Sequence, residues 1–202
     1  MQDRPVLLFD VMDTLVYNPY NREIPAFFGL SAAELLQQKD PTVWPLFELG
    51  HIDEADYLTR YFRDRRRFDH AAFQQVVANA YRWMDGAETL LGRLRQAGLE
   101  IHALSNYPIW YRTIETRLQL SRYLNWTFVS CMTGVRKPAP EAYQRAARWL
   151  TRPSADCIFV DDNRENCEAA RSIGMTAIHY VNAADVTRQL ERLGLFEAPP
   201  HS

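Results

Sequence analysis

The chain has 202 residues and a mass of 23.5 kDa, of which 47% are hydrophobic and 24% charged. That describes one soluble globular domain, or one domain carrying a large insertion, and not a disordered chain. A formal net charge of -2 and a pI of about 6.2 leave no basic excess for a polyanion, which argues against nucleic-acid binding by a general electrostatic surface.

In chain order, the first apolar run is Val6-Leu7-Leu8-Phe9, bounded by Arg4 and Asp10. It reads as a buried strand and is far too short for a membrane span or a secretory signal. From Val16 to about Met84 the pattern changes. Ala32, Leu35 and Leu36, and then Tyr57, Leu58, Tyr61 and Phe62, recur at helical spacing, and no convincing strand appears. The only dense basic stretch, Arg63-Asp64-Arg65-Arg66-Arg67, lies in this block and reads as a solvated helix end or loop.

Strands then alternate with helices. A helix is predicted over 87–96 with Gly98 after it, a strand over 101–104, a helix over 110–120 and a strand over 127–129. A helix over 140–150 follows, with Pro140 in its first turn, and then a strand over 157–160. A helix over 164–173 is closed by Gly174, and a strand over 177–181 leads to a final helix over 183–193. Such alternation predicts an α/β protein with a mostly parallel sheet covered on both faces. The expected division is a core of residues 1–15 and 85–202 and a helical insertion of residues 16–84. The tail from Ala198 to Ser202 is expected to fray. Cys131, Cys157 and Cys167 are too few for a disulfide scaffold and read as reduced thiols in a cytoplasm-like compartment. No CxxC or His pair at zinc spacing is present.

In an open parallel sheet, ligands bind beyond the carboxyl ends of the strands. Asp10, Ser105 with Asn106, and Asp161 with Asp162 follow three of the predicted strands. Each alone reads as a strand terminator or helix cap. Together with Lys137 they read as a site.

These residues carry a resemblance. Asp10-Val11-Met12-Asp13-Thr14-Leu15, Ser105-Asn106, Lys137-Pro138, and Asp161-Asp162 with Asn166 resemble, in order and spacing, the four motifs of the haloacid dehalogenase superfamily. The resemblance implies a Rossmann-like three-layer core and a small helical cap inserted after the first strand. It also implies a magnesium-dependent phosphatase, or less commonly a dehalogenase. It assigns the Met12 backbone carbonyl, Asp10 and Asp162 to the metal, and Asn166 and Asp161 to supporting contacts. The strings FDVMDTLVYNPY, IPAFFG, SNYPIWY and RKPAPEAY are similar to plant-type chloroplast flavin mononucleotide (FMN) hydrolases and their bacterial relatives. That implies release of phosphate from FMN, although sugar phosphates and other small phosphomonoesters suit the same motifs. The chain begins at the first strand with no Arg- and Ser-rich leader, which reads as a bacterial or processed form.

The chemistry can also be built from the residues. Asp10 is ionised at neutral pH and needs no base to act as a nucleophile. A phosphate monoester is itself an anion, and Mg2+ held by hard oxygen ligands removes the repulsion. Lys137 would neutralise charge on the transferring group. Ser105 and the Asn106 backbone would donate to phosphoryl oxygens.

One departure matters. Phosphatases of the family usually place a second Asp two residues after the nucleophile, to protonate the leaving group, and here that position is Met12. General acid catalysis contributes about 10²–10⁴-fold. Three readings follow: Asp13 takes over as acid, which is preferred; water serves in a slower reaction; or the leaving group is a halide. Asp13 also has a structural reading, as a loop-capping carboxylate. A binding protein that keeps the fold but not the reaction is a further alternative.

For the substrate, Tyr107 and Trp110, just after Ser105, and Tyr17, just after the first motif, are expected to line the pocket. Asn18, Tyr20 and Asn21 would share a hinge and wall with Tyr17. The aromatics Phe27, Phe28, Trp44, Phe47, Tyr57, Tyr61 and Phe62 are expected mostly to fill the core of the helical block. The partner called for is a small phosphorylated metabolite, with neither nucleic acid nor membrane.

Overall fold

The computed structural model describes residues 4–195. The sheet has five parallel strands in the order β3-β2-β1-β4-β5. They are β1 (Val6–Phe9), β2 (Ile101–Ser105), β3 (Asn125–Val129), β4 (Cys157–Asp161) and β5 (Thr176–His179). β1 is central, with Phe9 opposite Ala103 on one side and Val160 on the other. Its four residues are all buried, as the unbroken run Val-Leu-Leu-Phe requires of a strand covered on both faces.

Side chains alternate between the faces. Leu7 and Phe9 join Ile101, Ala103, Ile158 and Val160 in one cluster, and Leu8 joins Leu104, Phe128 and Phe159 in another. Helices α6 (Ala87–Gln96), α7 (Tyr111–Leu118) and α11 (Ala183–Arg192) bury Leu90, Ile114 and Val186 on the first face. Helices α9 (Pro140–Trp149) and α10 (Arg164–Ser172) bury Tyr143 and Ala170 on the second. The short α8 (Ser130–Thr133) directly follows β3. Full burial of each Leu or Phe contributes about 1.5–3 kcal/mol, and the two clusters between sheet and helices hold the three layers together. The parallel sheet covered on both faces is what the alternation implied, and its Rossmann-like form is what the resemblance implied.

The expected bounds differ by up to two residues: β3 begins at Asn125 and not at 127, and α7 runs over Tyr111–Leu118 and not 110–120. β5 stops at His179 and not at Val181, because Asn182 caps α11 by accepting from the Asp185 backbone N–H at 2.9 Å. The chain turns outward there and leaves Val181 exposed.

Between β1 and α6 lie α1 (Glu23–Phe27), α2 (Ala32–Gln38), α3 (Val43–Glu48), α4 (Glu54–Thr59) and α5 (His70–Ala80). Asp53 and Asp69 cap α4 and α5, and Ser31 and Glu34 form a capping box on α2. Aromatic rings hold these short helices together. Phe28 meets Phe27 and Phe62 edge-on at 4.9 Å, and Phe47 stacks on Tyr57 at 4.5 Å.

The two connections to the sheet run side by side. Val16 bridges Trp83 in antiparallel sense, Tyr17 N–H donates to the Arg82 carbonyl at 2.9 Å, and Met84 N–H donates to the Leu15 carbonyl at 2.8 Å. A second attachment lies at the end of α3. Buried Glu48 pairs with Arg136 at 2.7 Å, and its backbone carbonyl accepts from the Ser130 hydroxyl at 2.6 Å. Gly50 then passes so close that a Cβ there would lie 2.6 Å from the Cys131 carbonyl oxygen. The Arg63–Arg67 stretch is an exposed loop, with Arg65 paired to Asp40 at 2.8 Å. The tail at 198–202 lies outside the described residues. Among the described residues no helix is long and apolar enough to cross a membrane.

Candidate active site

The strand order reverses direction at β1 and β4, which opens a crevice at their carboxyl ends. Asp10 follows β1, Asp161 ends β4, and Ser105 ends β2. Lys137 arrives from the loop before α9, and its side chain is buried. Its ammonium donates to Asp10 Oδ1 and to Asp161 Oδ2, each at 2.6 Å. Asn166 Nδ2 donates to both Asp161 oxygens at 3.2 and 3.1 Å, and the Asn163 N–H donates to Oδ1 at 2.7 Å. Asp161 is therefore fully committed to holding Lys137 and the start of α10.

Burial is the largest influence on Asp10 and raises its pKa. The Lys137 charge pulls it down, while Asp161 and Asp162 push it up, and the net effect is upward. Burial works to lower the Lys137 ammonium, but the charges of Asp10 and Asp161 and their hydrogen bonds outweigh it and hold it above its ordinary value. Asp162, more open than its neighbour, is raised by burial and by the charges of Asp161 and Asp13.

Oxygens of Asp10, Asp161 and Asp162 lie within 4.8 Å of one another. The oxygens of Asp10 and of the exposed Asp162, with committed Asp161 beside them, fit a hard divalent cation such as Mg2+. Thr14, which the sequence reading passed over, is buried. Its hydroxyl accepts from the Asp162 N–H at 3.2 Å and donates to Asp162 Oδ1 at 3.5 Å. Its position in the loop after Asp10 was the available signal.

The Asn106 side chain is turned to the Lys137 backbone. Its Nδ2 donates to the Lys137 carbonyl and its Oδ1 accepts from the Lys137 N–H, both at 2.8 Å. Ser105 Oγ is buried and has no hydrogen-bond partner among the described residues. An unpaired buried hydroxyl costs about 1–3 kcal/mol, so Ser105 marks a place that a ligand acceptor would complete.

Asp13 has left-handed backbone, with φ of 58°. Its Oδ1 accepts from the Asn18 N–H at 3.4 Å and from Asn21 Nδ2 at 3.0 Å, and its Oδ2 accepts from Asn18 Nδ2 at 3.2 Å. That is the loop-capping geometry. Both oxygens are thereby occupied by donors of the loop itself.

A cavity of about 440 Å3 reaches this site at Met12 and Asn106 and continues into the helical block along Asn18, Tyr20, Lys39, Trp44 and Tyr57. Tyr107 and Trp110 also line it. The Tyr107 hydroxyl is bonded to that of Tyr81 at 2.7 Å, and Trp110 Nε1 donates to Glu54. Tyr17 does not line this cavity. Its N–H is tied to Arg82, the Arg82 guanidinium lies 3.4 Å from its ring centre, and it borders a separate hollow with Trp83 and Tyr180. Tyr20, three residues on, takes the wall instead. Of the expected block-filling aromatics, Trp44 and Tyr57 reach the cavity and Phe28, Phe47 and Phe62 stay in the core.

Lys39, also passed over, has its side chain in this cavity, and burial pushes its ammonium down to about 8. Nothing in sequence distinguishes a buried lysine from the exposed majority.

A model of the haloacid dehalogenase-like hydrolase family matches residues 5–174. Flavin mononucleotide hydrolase 1, chloroplastic, of Arabidopsis thaliana is 44% identical over 196 residues, covering 97% of this chain and 80% of that protein. Sesquiterpene phosphatase astK of Aspergillus oryzae is 28% identical over 107 residues, covering 52% of this chain and 54% of that one. Among solved structures, a HAD-family enzyme of Bacteroides thetaiotaomicron in complex with magnesium superposes with a TM-score of 0.76 at 19% identity, over 94% of this chain and 98% of that one. An L-2-haloacid dehalogenase does so at 0.64 and 18% identity, over 93% and 100%. At such identities the solved structures attest the fold.

Proposed function

This chain belongs to the haloacid dehalogenase-like hydrolases, and on that premise we propose that it is a magnesium-dependent phosphatase whose substrate is FMN. The observation that carries the reading is the convergence of the Asp10, Asp161 and Asp162 carboxylates around buried Lys137, beside an aromatic-walled cavity. The 44% identity to a flavin mononucleotide hydrolase over nearly the whole chain supports the substrate. Residues 16–84 serve as a cap over the crevice, and 1–15 with 85–202 as the catalytic core.

Asp10, Asp162 and the Met12 carbonyl would hold Mg2+, which when bound supplies charge neutralisation between carboxylate and phosphate. Asp10 attacks phosphorus in line with the leaving oxygen and forms an aspartyl phosphate, and hydrolysis of that acyl phosphate restores the carboxylate. Lys137 keeps Asp10 oriented and balances charge on the transferring group, and Asp161 fixes Lys137 from its other side. The Ser105 hydroxyl and the Asn106 N–H donate to phosphoryl oxygens. Met12 cannot transfer a proton, and Asp13 is held by Asn18 and Asn21, so we assign protonation of the leaving alkoxide to water and Asp13 to shaping the loop.

The test is phosphate release from FMN with and without chelator, with 2-haloacids assayed alongside. The expected result is activity abolished by chelator and by Asp10→Asn. Chelator-resistant halide release would replace this reading with dehalogenation. Silence on all substrates with ligand binding retained would leave a binding protein.

A further inference from the structure

Phosphoryl transfer makes no use of Lys39, yet the fold buries this lysine and fixes it firmly. Its N–H closes α2 by donating to the Leu35 carbonyl at 2.9 Å, its carbonyl accepts from Arg63 Nε at 3.0 Å, and its backbone bridges Phe62. The side chain lines the cavity, where Nζ stands 4.4 Å from the Tyr20 ring centre, 5.0 Å from Tyr61 and 5.7 Å from Trp44. Three aromatic rings thus surround the cation, and no carboxylate or other hydrogen-bond acceptor meets it among the described residues. The adjacent Asp40 is taken by Arg65 and Thr42. Among the described residues the Tyr20 and Tyr61 hydroxyls are buried without partners. Aromatic faces offset part of the desolvation of an ammonium but leave its N–H bonds unused. The cage is complete only when something else brings an acceptor.

The cavity restricts what that is. With its phosphate in the crevice beside Ser105 and Lys137, a substrate would enter the cavity past Met12 and Asn106 and extend towards Lys39. An aliphatic hydrocarbon leaving group would fit the apolar walls but would leave the ammonium unpartnered. A sugar's hydroxyls could accept from the ammonium, but its remaining hydroxyls would meet mostly apolar and aromatic walls. A flat conjugated ring with acceptors at its far edge satisfies both the walls and the cation.

We propose that Lys39 is a specificity-determining residue that donates to a delocalised acceptor edge, a ring nitrogen beside a carbonyl oxygen, on a heteroaromatic leaving group held against Trp44. The assignment rests on the FMN reading above and deepens it: the pyrimidine-dione side of the isoalloxazine meets Lys39, and the dimethylbenzene side does not.

The experiment compares wild type with Lys39→Met and Lys39→Gln on two substrates. One is FMN. The other is phenyl phosphate, which has a ring but no acceptor edge. Binding of riboflavin alone is followed separately by quenching of its fluorescence. The expected result is a KM for FMN raised by about 10–100-fold, the range for losing a hydrogen bond to a charged group. Riboflavin affinity falls in parallel, and kcat/KM for phenyl phosphate stays within about threefold of wild type. Both variants exchange the buried charge for a neutral, slightly shorter chain, Met with no donor and Gln with an uncharged one, and their melting temperatures check that they fold. If wild type hydrolyses FMN but the variants lose neither substrate, or lose both alike, the role of Lys39 is overturned while the flavin reading stands. If wild type cleaves phenyl phosphate but neither cleaves FMN nor binds riboflavin, the flavin reading is overturned and this assignment with it.

Discussion

Asn106 and Lys137 exchange two hydrogen bonds of 2.8 Å, with the asparagine side chain pairing to the lysine backbone as a neighbouring strand would. The residue after β2 thereby sets where the lysine of a distant loop enters the site. Asn106→Ala removes both bonds and leaves the Lys137 backbone to find other partners. The cost to stability is expected to be about 1–3 kcal/mol. Lower kcat, by about 10–100-fold, should exceed any rise in KM, because the lysine orients the nucleophile. Denaturant unfolding and steady-state kinetics on FMN check the two effects.

Ser105→Ala tests the unpaired hydroxyl. The fold loses no hydrogen bond and is relieved of a buried orphan, so stability should hold or rise by up to about 1 kcal/mol. Activity should fall by about 10-fold or more, since a donor to the phosphoryl group is gone. A variant that unfolds more easily at full activity would place Ser105 in the scaffold and not in the site.

Asp13→Asn separates loop shaping from proton donation. If Asp13 only receives the Asn18 and Asn21 donors, hydrolysis of aryl and alkyl phosphates should drop by a similar factor, about 3–10-fold, as hydrogen bonds of about 1 kcal/mol are lost. A selective loss on the alkyl substrate, whose leaving group needs the proton, would restore Asp13 as the acid.

Lys39 predicts a pH limb in flavin binding. Its value is lowered by burial to about 8, so it is charged below that pH and neutral above it. Donation to an acceptor edge is therefore strongest on the acid side, and riboflavin affinity should weaken as pH rises through about 8. The groups facing it do not titrate there. Tyr20, Tyr57 and Tyr61 are raised by burial and stay neutral. Asp40 is lowered, foremost by its bond to Thr42, and stays charged, while Arg63 keeps its bond to the Lys39 carbonyl. Glu48, behind Trp44, stays paired with Arg136. Fluorescence titration across the range checks this, and in Lys39→Met the limb should vanish.

The sheet and its flanking helices are legible from residue order because their driving force is periodic. Val6–Phe9 and residues 157–160 are unbroken apolar runs, and α6, α9 and α10 carry apolar stripes, with Gly98 after α6, Pro140 opening α9 and Asn163 capping α10. Asp10, Ser105 and Asp161 stand out as polar residues where such runs stop. Lys137 is visible only in their company. What is not legible lies where the chain has no period. In the stretch after Leu15, nothing in sequence says whether Tyr17 or Tyr20 faces the cavity, and the pairing of Tyr17 with Arg82 decides it. Asp13 occupies a left-handed turn that a side-chain pattern does not encode. Lys39 becomes notable only when Tyr20, Trp44 and Tyr61, from separate segments, close around it.

The antiparallel bridge of Val16 with Trp83 brings the start and finish of a long excursion to neighbouring points. Antiparallel neighbours can be joined by about two residues. A shortened gene that splices a tight hairpin across this junction would thus leave the β1 register and the carboxylate crevice with their own connections. The same doorway would accept an unrelated segment of another size, so what the catalyst recognises can be exchanged as a module while what it does to phosphorus is kept.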